Sequence, residues 1–202
     1  MRWIWIAAMA ALLPAWGMGR AADTVGDCAH PIEAALRTRG TIVIESRPAQ
    51  IVVEGTDAET VHVTCTVNAE GDPRDIELDY AGNPDYARLT IRGGGPVHDE
   101  NLSIHVAVPR KVSLRLFAPA GQVTVRNVAG DKDIDLYAGQ ITIGMAGGGT
   151  YRSMEASVDI GQVSASALGV DKGGFFRTLR RETPDGEYRL RVHVVTGQIE
   201  LQ

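Results

Sequence analysis

Apolar and polar residues alternate with a period of two over most of this chain, which is the pattern of β-strands that are buried on one face. In the first half, six segments show it, at residues 41–46, 50–54, 61–67, 75–80, 87–92 and 102–108. Turn-forming Gly, Pro, Asp and Asn residues separate these segments. Helical spacing is confined to residues 31–37, where we expect one or two helical turns. The pattern therefore predicts an all-β protein.

A short motif recurs in the second half, where glycine and glutamine precede a β-branched residue. Its four copies begin at Gly121, Gly139, Gly161 and Gly197, with spacings of 18, 22 and 36 residues. Glycine suits a bend between two short strands because it has no Cβ. Such a period is typical of stacked repeats, in which each coil buries its apolar face against the next. We expect rows of like residues, with the four glutamines roughly aligned.

The repeat predicts a β-solenoid of short strands, a right-handed or irregular β-helix, within a single domain at residues 38–202. The alternative is a β-sandwich whose hairpins share a turn motif. Residues 171–187 interrupt the repeat and are interpreted as a loop excursion, either a partner-binding loop or a lid over the end of the solenoid. Its candidate interaction residues are the aromatic and cationic ones: Phe175, Phe176, Arg177, Arg180 and Arg181.

Residues 1–21 have the three-part layout of a secretory signal peptide. Arg2 precedes an apolar run at residues 3–13, and Gly19 and Ala21 supply small residues before a cleavage site. The run is shorter than the roughly 20 apolar residues that cross a bilayer, although an uncleaved N-terminal anchor is an alternative. We expect an exported protein of the periplasm, the outer cell envelope or the medium, in which residues 22–37 form an N-terminal segment.

Two cysteines, Cys28 and Cys65, are present. In an exported protein such a pair is expected to form a disulfide, which here would tie the N-terminal segment to the first strands. The alternative is metal binding by His62 and Cys65. Strand alternation opposes this alternative, because Cys65 shares a face with Val61 and Val63 while His62 points the other way.

Charge and side-chain chemistry exclude several functions. The formal net charge is −5, and no cluster of Lys and Arg is present, so nucleic acid and anionic membranes are not expected partners. Acidic residues occupy every second position at Asp131, Asp133 and Asp135, which suits either a solvated strand face or a calcium site. The polar cluster His98–Asp99–Glu100 follows a glycine triplet without a nucleophile beside it. No catalytic, cofactor-binding or metal-binding residues are predicted.

Several segments resemble one known family. Residues 188–201 (YRLRVHVVTGQIEL), residues 106–109 (VAVP) and residues 114–121 (LRLFAPAG) are similar to the bacterial putative-adhesin β-strand-repeat family, a domain of unknown function in exported and membrane-anchored envelope proteins. Residues 40–44 and 50–53 fit as well, so the resemblance covers roughly residues 38–202. It implies a right-handed or irregular β-solenoid and supplies no catalytic residues.

These observations favour a non-catalytic binding or structural module of the envelope or the medium. One alternative is a periplasmic accessory or sensory protein that docks on another envelope component, which co-purification of one such component would favour. Another is a carbohydrate-active β-helix enzyme, which the low aromatic content of 5% disfavours and which glycan depolymerisation would reveal. Self-association is also expected, because both ends of a solenoid present strand edges.

Overall fold

The computed structural model describes residues 22–67, 72–93, 102–145 and 151–202. It contains one mixed sheet of 13 strands, so the prediction of an all-β protein is confirmed. The strands are β1 (Ala22–Asp27), β2 (Ile32–Ala35), β3 (Thr41–Ser46), β4 (Ala49–Thr56), β5 (Thr60–Val67), β6 (Ile76–Asn83), β7 (Tyr86–Gly93), β8 (Leu102–Pro109), β9 (Ser113–Arg126), β10 (Lys132–Ile143), β11 (Tyr151–Ala165), β12 (Val170–Glu182) and β13 (Tyr188–Leu201). Within the described ranges, two 3-10 turns lie at Pro73–Asp75 and Ser166–Leu168. In the described chain no helix has the length and apolar character to span a membrane.

Four long parallel strands, β9, β10, β11 and β13, each bend at a glycine. In β9 the glycine is Gly121, whose φ of 124° is open to few other residues. Before the bend β9 buries Leu114 and Leu116, and after it Val123 and Val125. The inward positions thus change from even to odd numbers at the glycine. The two parts of the bent strand, here called its first limb before the glycine and its second limb after it, therefore face the same core.

The bent strands stack in parallel in the order β9, β10, β13 and β11. After the second limb of β9 the chain returns to the start of the first limb, where the Leu114 amide donates to the Asp131 carbonyl at 2.8 Å. The next layer, β10, begins there. The last strand, β13, lies between β10 and β11 rather than after them, and β12 pairs with β11 in antiparallel orientation at the end of the stack.

The strands β3 and β4 together form one more layer, because β3 pairs with the first limb of β9 and β4 with its second limb. Beyond this layer the sheet divides into two arms. The first arm continues from β3 through β7 and β6 to β1, and the second from β4 through β8 and β5 to β2. Alternate residues of both arms belong to a single apolar core, built mostly from Val, Ile, Leu and Ala.

Two local predictions were wrong. Residues 31–37, expected to make helical turns, contain the strand β2, whose buried Ile32 pairs with Val63 of β5. Residues 171–187, expected to be a loop, mostly belong to β12, which pairs on one side with residues 153–165 of β11. The lid alternative fails as well, because Phe175 and Phe176 are 68% and 80% exposed and do not cover the core.

Candidate functional site

The four repeat glycines lie in one row across the stack, in the spatial order Gly121, Gly139, Gly197 and Gly161. Each has a φ between 124° and 147°. A Cβ on any of the last three would lie 1.8 or 1.9 Å from the carbonyl oxygen of the preceding glycine in the row. Each bend therefore requires a glycine, because a side chain there would overlap with the backbone of the neighbouring layer.

The glutamines that follow these glycines form a second row, in which Gln122, Gln140, Gln198 and Gln162 pair in register. The row also includes Gln50 of β4, which pairs with Gln122. The sequence motif does not identify Gln50, because Ala49 takes the place of the glycine. Five glutamines thus run across the outer surface beside the bends.

Next to the bends, on the outer face of the first limbs of the stack and of the adjoining strands β3 and β7, lies an open, shallow depression, here called the aromatic depression. Its two rings are Phe117 of β9 and Tyr137 of β10, which are 41% and 65% exposed. Phe117 lies directly opposite Asp135, and Tyr137 lies opposite Pro119. Exposed rings grouped in this way are unusual for a surface that contacts only water.

Charged and polar side chains surround the two rings. Glu45 and Arg92 border the depression on one side, while Asp135 and His193 border it on the other. The His193 ring lies 3.5 Å from a carboxylate oxygen of Asp135 and 3.5 Å from one of Asp159. The depression therefore offers apolar ring faces together with carboxylate, imidazole and guanidinium groups, a combination suited to a ligand with both apolar and hydrogen-bonding groups.

The three acids considered as an alternative calcium site are engaged in ion pairs. Arg191 lies 2.9 Å from Asp133 and 3.5 Å from Asp135, and it holds these carboxylates against the sheet. The Asp131 carboxylate accepts a hydrogen bond from the Arg189 amide at 2.8 Å. Across the described ranges no group of three or more His, Cys, Asp or Glu side chains is arranged to hold a metal. The cluster at residues 98–100 lies outside the described residues.

The five predicted interaction residues all lie on β12. Arg180 faces outward and pairs with Glu155 of β11 at 2.8 Å. Arg177 faces the core side of the sheet, crosses the bend and donates to the Gly173 carbonyl at 2.8 Å. Lys172, also on the core side, reaches back across the bend to the Thr178 carbonyl at 3.5 Å. Both cationic side chains thus lie on the core side of the sheet at its end, and both are exposed.

Among the described residues, one charged side chain is buried within the core. Lys132 is 2% exposed and occupies a row of inward positions, between Leu114 and Leu190. Its amine donates to the Gly130 carbonyl at 3.2 Å and to the Tyr151 hydroxyl, and it lies 4.8 Å from the centre of that ring. Burial lowers the pKa of Lys132 to about 7 and raises the pKa of Tyr151 to about 12. Both polar groups have partners inside the protein, so they contribute to the fold rather than to a surface site.

Cys28 and Cys65 form a disulfide with a Cα–Cα distance of 4.7 Å. Cys28 lies in the short connection between β1 and β2, and Cys65 lies on β5. The bridge therefore attaches the edge strands of both arms to the body of the protein.

Sequence reasoning missed the residues of the aromatic depression. Phe117 lies between the inward-facing Leu116 and Ala118, and Tyr137 follows the inward-facing Leu136, so alternation could have identified both rings as exposed. Their proximity depends on the stacking of β9 on β10, which the 18-residue spacing of the motif also indicates.

No protein-family model matches this sequence, and no curated protein matches it. A solved structure with a similar course of the chain is that of a putative cell adhesion protein from Clostridium sporogenes, which is 10% identical to this chain. The similarity covers 85% of this chain and 98% of that chain, with a TM-score of 0.44.

Proposed function

We propose that this protein is an exported, non-catalytic binding module of the bacterial cell envelope, whose ligand is an envelope polysaccharide bound at the aromatic depression. The observation that carries the proposal is the exposure of Phe117 and Tyr137 side by side among charged groups. The faces of sugar rings carry C–H groups that pack on aromatic rings, while their hydroxyls exchange hydrogen bonds with carboxylates and guanidinium groups.

The shape of the site also supports a polymer as the ligand. The depression is open, and its residues come from five strands: β3, β7, β9, β10 and β13. Neighbouring strands lie about 4.8 Å apart, so the site extends roughly 19 Å across the sheet. An open surface of this length suits several residues of a chain better than one small molecule.

Export and the solenoid arrangement are parts of the same proposal. The disulfide between Cys28 and Cys65 supports an oxidising compartment, since such bonds persist outside the cytoplasm. The in-register stacking of bent strands supports a two-limbed β-solenoid for the region from β9 onward, joined to two arms that pack as in a sandwich. A rigid stack of this kind holds its outer side chains at fixed spacings, which suits repeated contacts with a polymer.

Binding of the purified protein to isolated cell-wall sacculi and to extracted envelope polysaccharide tests the ligand. We expect Phe117→Ser and Tyr137→Ser each to weaken binding by about tenfold or more, which corresponds to about 1.4 kcal/mol. Tyr86→Ser is the matched control, because Tyr86 is 41% exposed like Phe117 but lies outside the depression. Equal losses of binding in all three variants would overturn the site. If protease treatment of the sacculi abolishes binding but glycan digestion does not, the ligand is a protein instead.

Cell fractionation with mass spectrometry of the N-terminus tests export independently. We expect an N-terminus near Ala22 and an oxidised Cys28–Cys65 pair in a periplasmic, envelope or extracellular fraction. Cytoplasmic protein that retains Met1 and free thiols would contradict the export part of the proposal.

A further inference from the structure

Among the described strands, both ends of the sheet have an edge with no neighbouring strand. At one end the edge belongs to β12, and at the other it belongs to β1 in the first arm and to β2 in the second. Unpaired backbone N–H and C=O groups along such edges can accept another strand. The two ends differ in charge, and each presents two limbs of edge strand; this combination points to a specific partner.

Each edge consists of two limbs, one beside each limb or arm of the sheet. The strand β12 bends at Gly174, which pairs with Gly161 and has a φ of 119°. It thereby covers both limbs of β11. At the opposite end β1 and β2 cover the two arms, joined by the four residues 28–31. A bent strand can pair along its whole length only with an edge that turns at the same place.

The strand directions also agree. β1 is antiparallel to β6, β6 is antiparallel to β7, and β7 is parallel to β3. β1 therefore runs in the direction of the stacked bent strands, whereas β12 runs against it. If a second copy is placed beyond β12 in the same orientation, the β1 and β2 strands of the second copy pair in antiparallel orientation with β12 of the first.

The two edges carry opposite charge. The strand β12 has four cationic side chains, Lys172, Arg177, Arg180 and Arg181, and two acidic ones. The strands β1 and β2 contain Asp23, Asp27 and Glu33 and no Lys or Arg. Two β12 edges would place like charges together, which is unfavourable, while β12 against β1 and β2 places opposite charges together.

We propose that copies of this protein associate head to tail, with β12 of one copy pairing in antiparallel orientation with β1 and β2 of the next. The contact is heterologous and leaves a free edge at each end, so it builds linear chains rather than closed dimers. The aromatic depression lies on interior strands, so this association does not depend on the proposed ligand.

One alignment of β1 in one copy with β12 in the next places outward-facing side chains of opposite charge beside each other. Asp23 on the first arm and Arg180 on the part of β12 that pairs with the first limb of β11 both face outward, since their neighbours in the alternation face the core. Placing them opposite each other in an antiparallel pair brings Val25 opposite Thr178. Val25 is 69% exposed in the single copy and would be covered.

Sedimentation velocity of the full chain over a dilution series tests the association. We expect reversible growth of linear oligomers, weakened by raising the salt from about 0.05 M to 0.5 M because exposed charges are screened. Asp23→Arg and Arg180→Glu should each weaken association by about tenfold, and the double variant should restore most of the loss. Arg115→Glu makes the same charge change on the interior strand β9 and should have no such effect.

A cysteine experiment keeps the test decisive if Arg180→Glu, which also breaks the pair with Glu155, disturbs folding. The double variant Val25→Cys/Thr178→Cys should form a ladder of oligomers on a non-reducing gel. A mixture of the two single variants should form only dimers that contain one copy of each. A strictly monomeric protein, charge variants without effect or rescue, or dimers of Thr178→Cys alone would overturn the proposal.

Discussion

A Cβ on Gly139 would lie 1.9 Å from the carbonyl oxygen of Gly121 on the neighbouring strand. This is far inside van der Waals contact, and the obstructing atom belongs to the backbone, which cannot rotate away. The same relationship recurs through the stack at Gly197 and Gly161. Close approach between layers, together with a positive φ, therefore determines the glycine at each bend.

Gly139→Ala should accordingly destabilise the protein by about 3–5 kcal/mol, through backbone strain and steric overlap together. Gly169→Ala is the control, since Gly169 has a φ of 63° but nothing within 4 Å of a Cβ. It should cost only about 1–2 kcal/mol, the penalty of the left-handed conformation. Urea unfolding monitored by circular dichroism gives both values, and equal losses would show that the contact between layers is unimportant.

The sequence predicted the bent repeat well because the bend has a local requirement. A glycine, a glutamine and a β-branched residue mark each of four bends, and the pairing places the four motifs in register. The fifth layer escaped detection because its bend lies between two separate strands, at Arg47 and Pro48, where the chain turns without a glycine. The pairing of β3 and β4 with the two limbs of β9 reveals it, and this pairing places Gln50 opposite Gln122.

The order of the layers could not be predicted from the motif. The spacing of 36 residues between Gly161 and Gly197 suggested one irregular period within a continuing stack. Instead, β12 turns back along β11, and β13 then enters between β10 and β11. Periodicity along the chain specifies the shape of each layer, but the choice of neighbour depends on nonlocal pairing and packing. The aromatic depression depends on that choice as well, since His193 reaches Asp135 only because β13 lies beside β10.

Removal of the disulfide should loosen both edges of the N-terminal end. Cys28 and Cys65 are separated by 37 residues, and closing a loop of this length contributes about 3–4 kcal/mol in the chain-entropy model. The double variant Cys28→Ser/Cys65→Ser should lose a similar free energy of unfolding. Reduction of the wild-type protein is the matched comparison. In the double variant, backbone hydrogen exchange should increase first in β1 and β2. An unchanged unfolding midpoint would contradict the assigned role of the bridge.

The buried Lys132 should be replaceable by an apolar residue. In the row of inward positions its neighbours are Leu114 and Leu190, and methionine has a similar length and shape. Replacing a buried charge with a well-packed apolar residue is often stabilising by about 1–4 kcal/mol, provided that no polar partner is left unsatisfied. We therefore expect Lys132→Met/Tyr151→Phe to be more stable than the wild type at pH 6 by about 1–3 kcal/mol. Lys132→Met alone should gain less, because the Tyr151 hydroxyl loses its partner.

Lys132 should also make stability depend on pH in a defined window. Its pKa is about 7 in the folded protein, against an ordinary value of 10.5 that the unfolded chain is expected to have. Between these values the unfolded chain binds more protons than the folded protein, so the free energy of unfolding rises with pH, by at most about 1.4 kcal/mol per pH unit. Tyr151 acts in the opposite sense above pH 10, since its pKa of about 12 keeps it protonated in the folded state after the unfolded chain has ionised.

Urea unfolding at intervals from pH 7.5 to 9.5 isolates the contribution of the lysine, because this range lies below the titration of the tyrosine. The wild type should become more stable across the range, whereas Lys132→Met should show a much flatter profile. Lys111→Met, which removes an exposed lysine, should follow the wild type. If all three profiles rise in parallel, the buried amine is not the group that titrates, and the pH dependence must come from another residue.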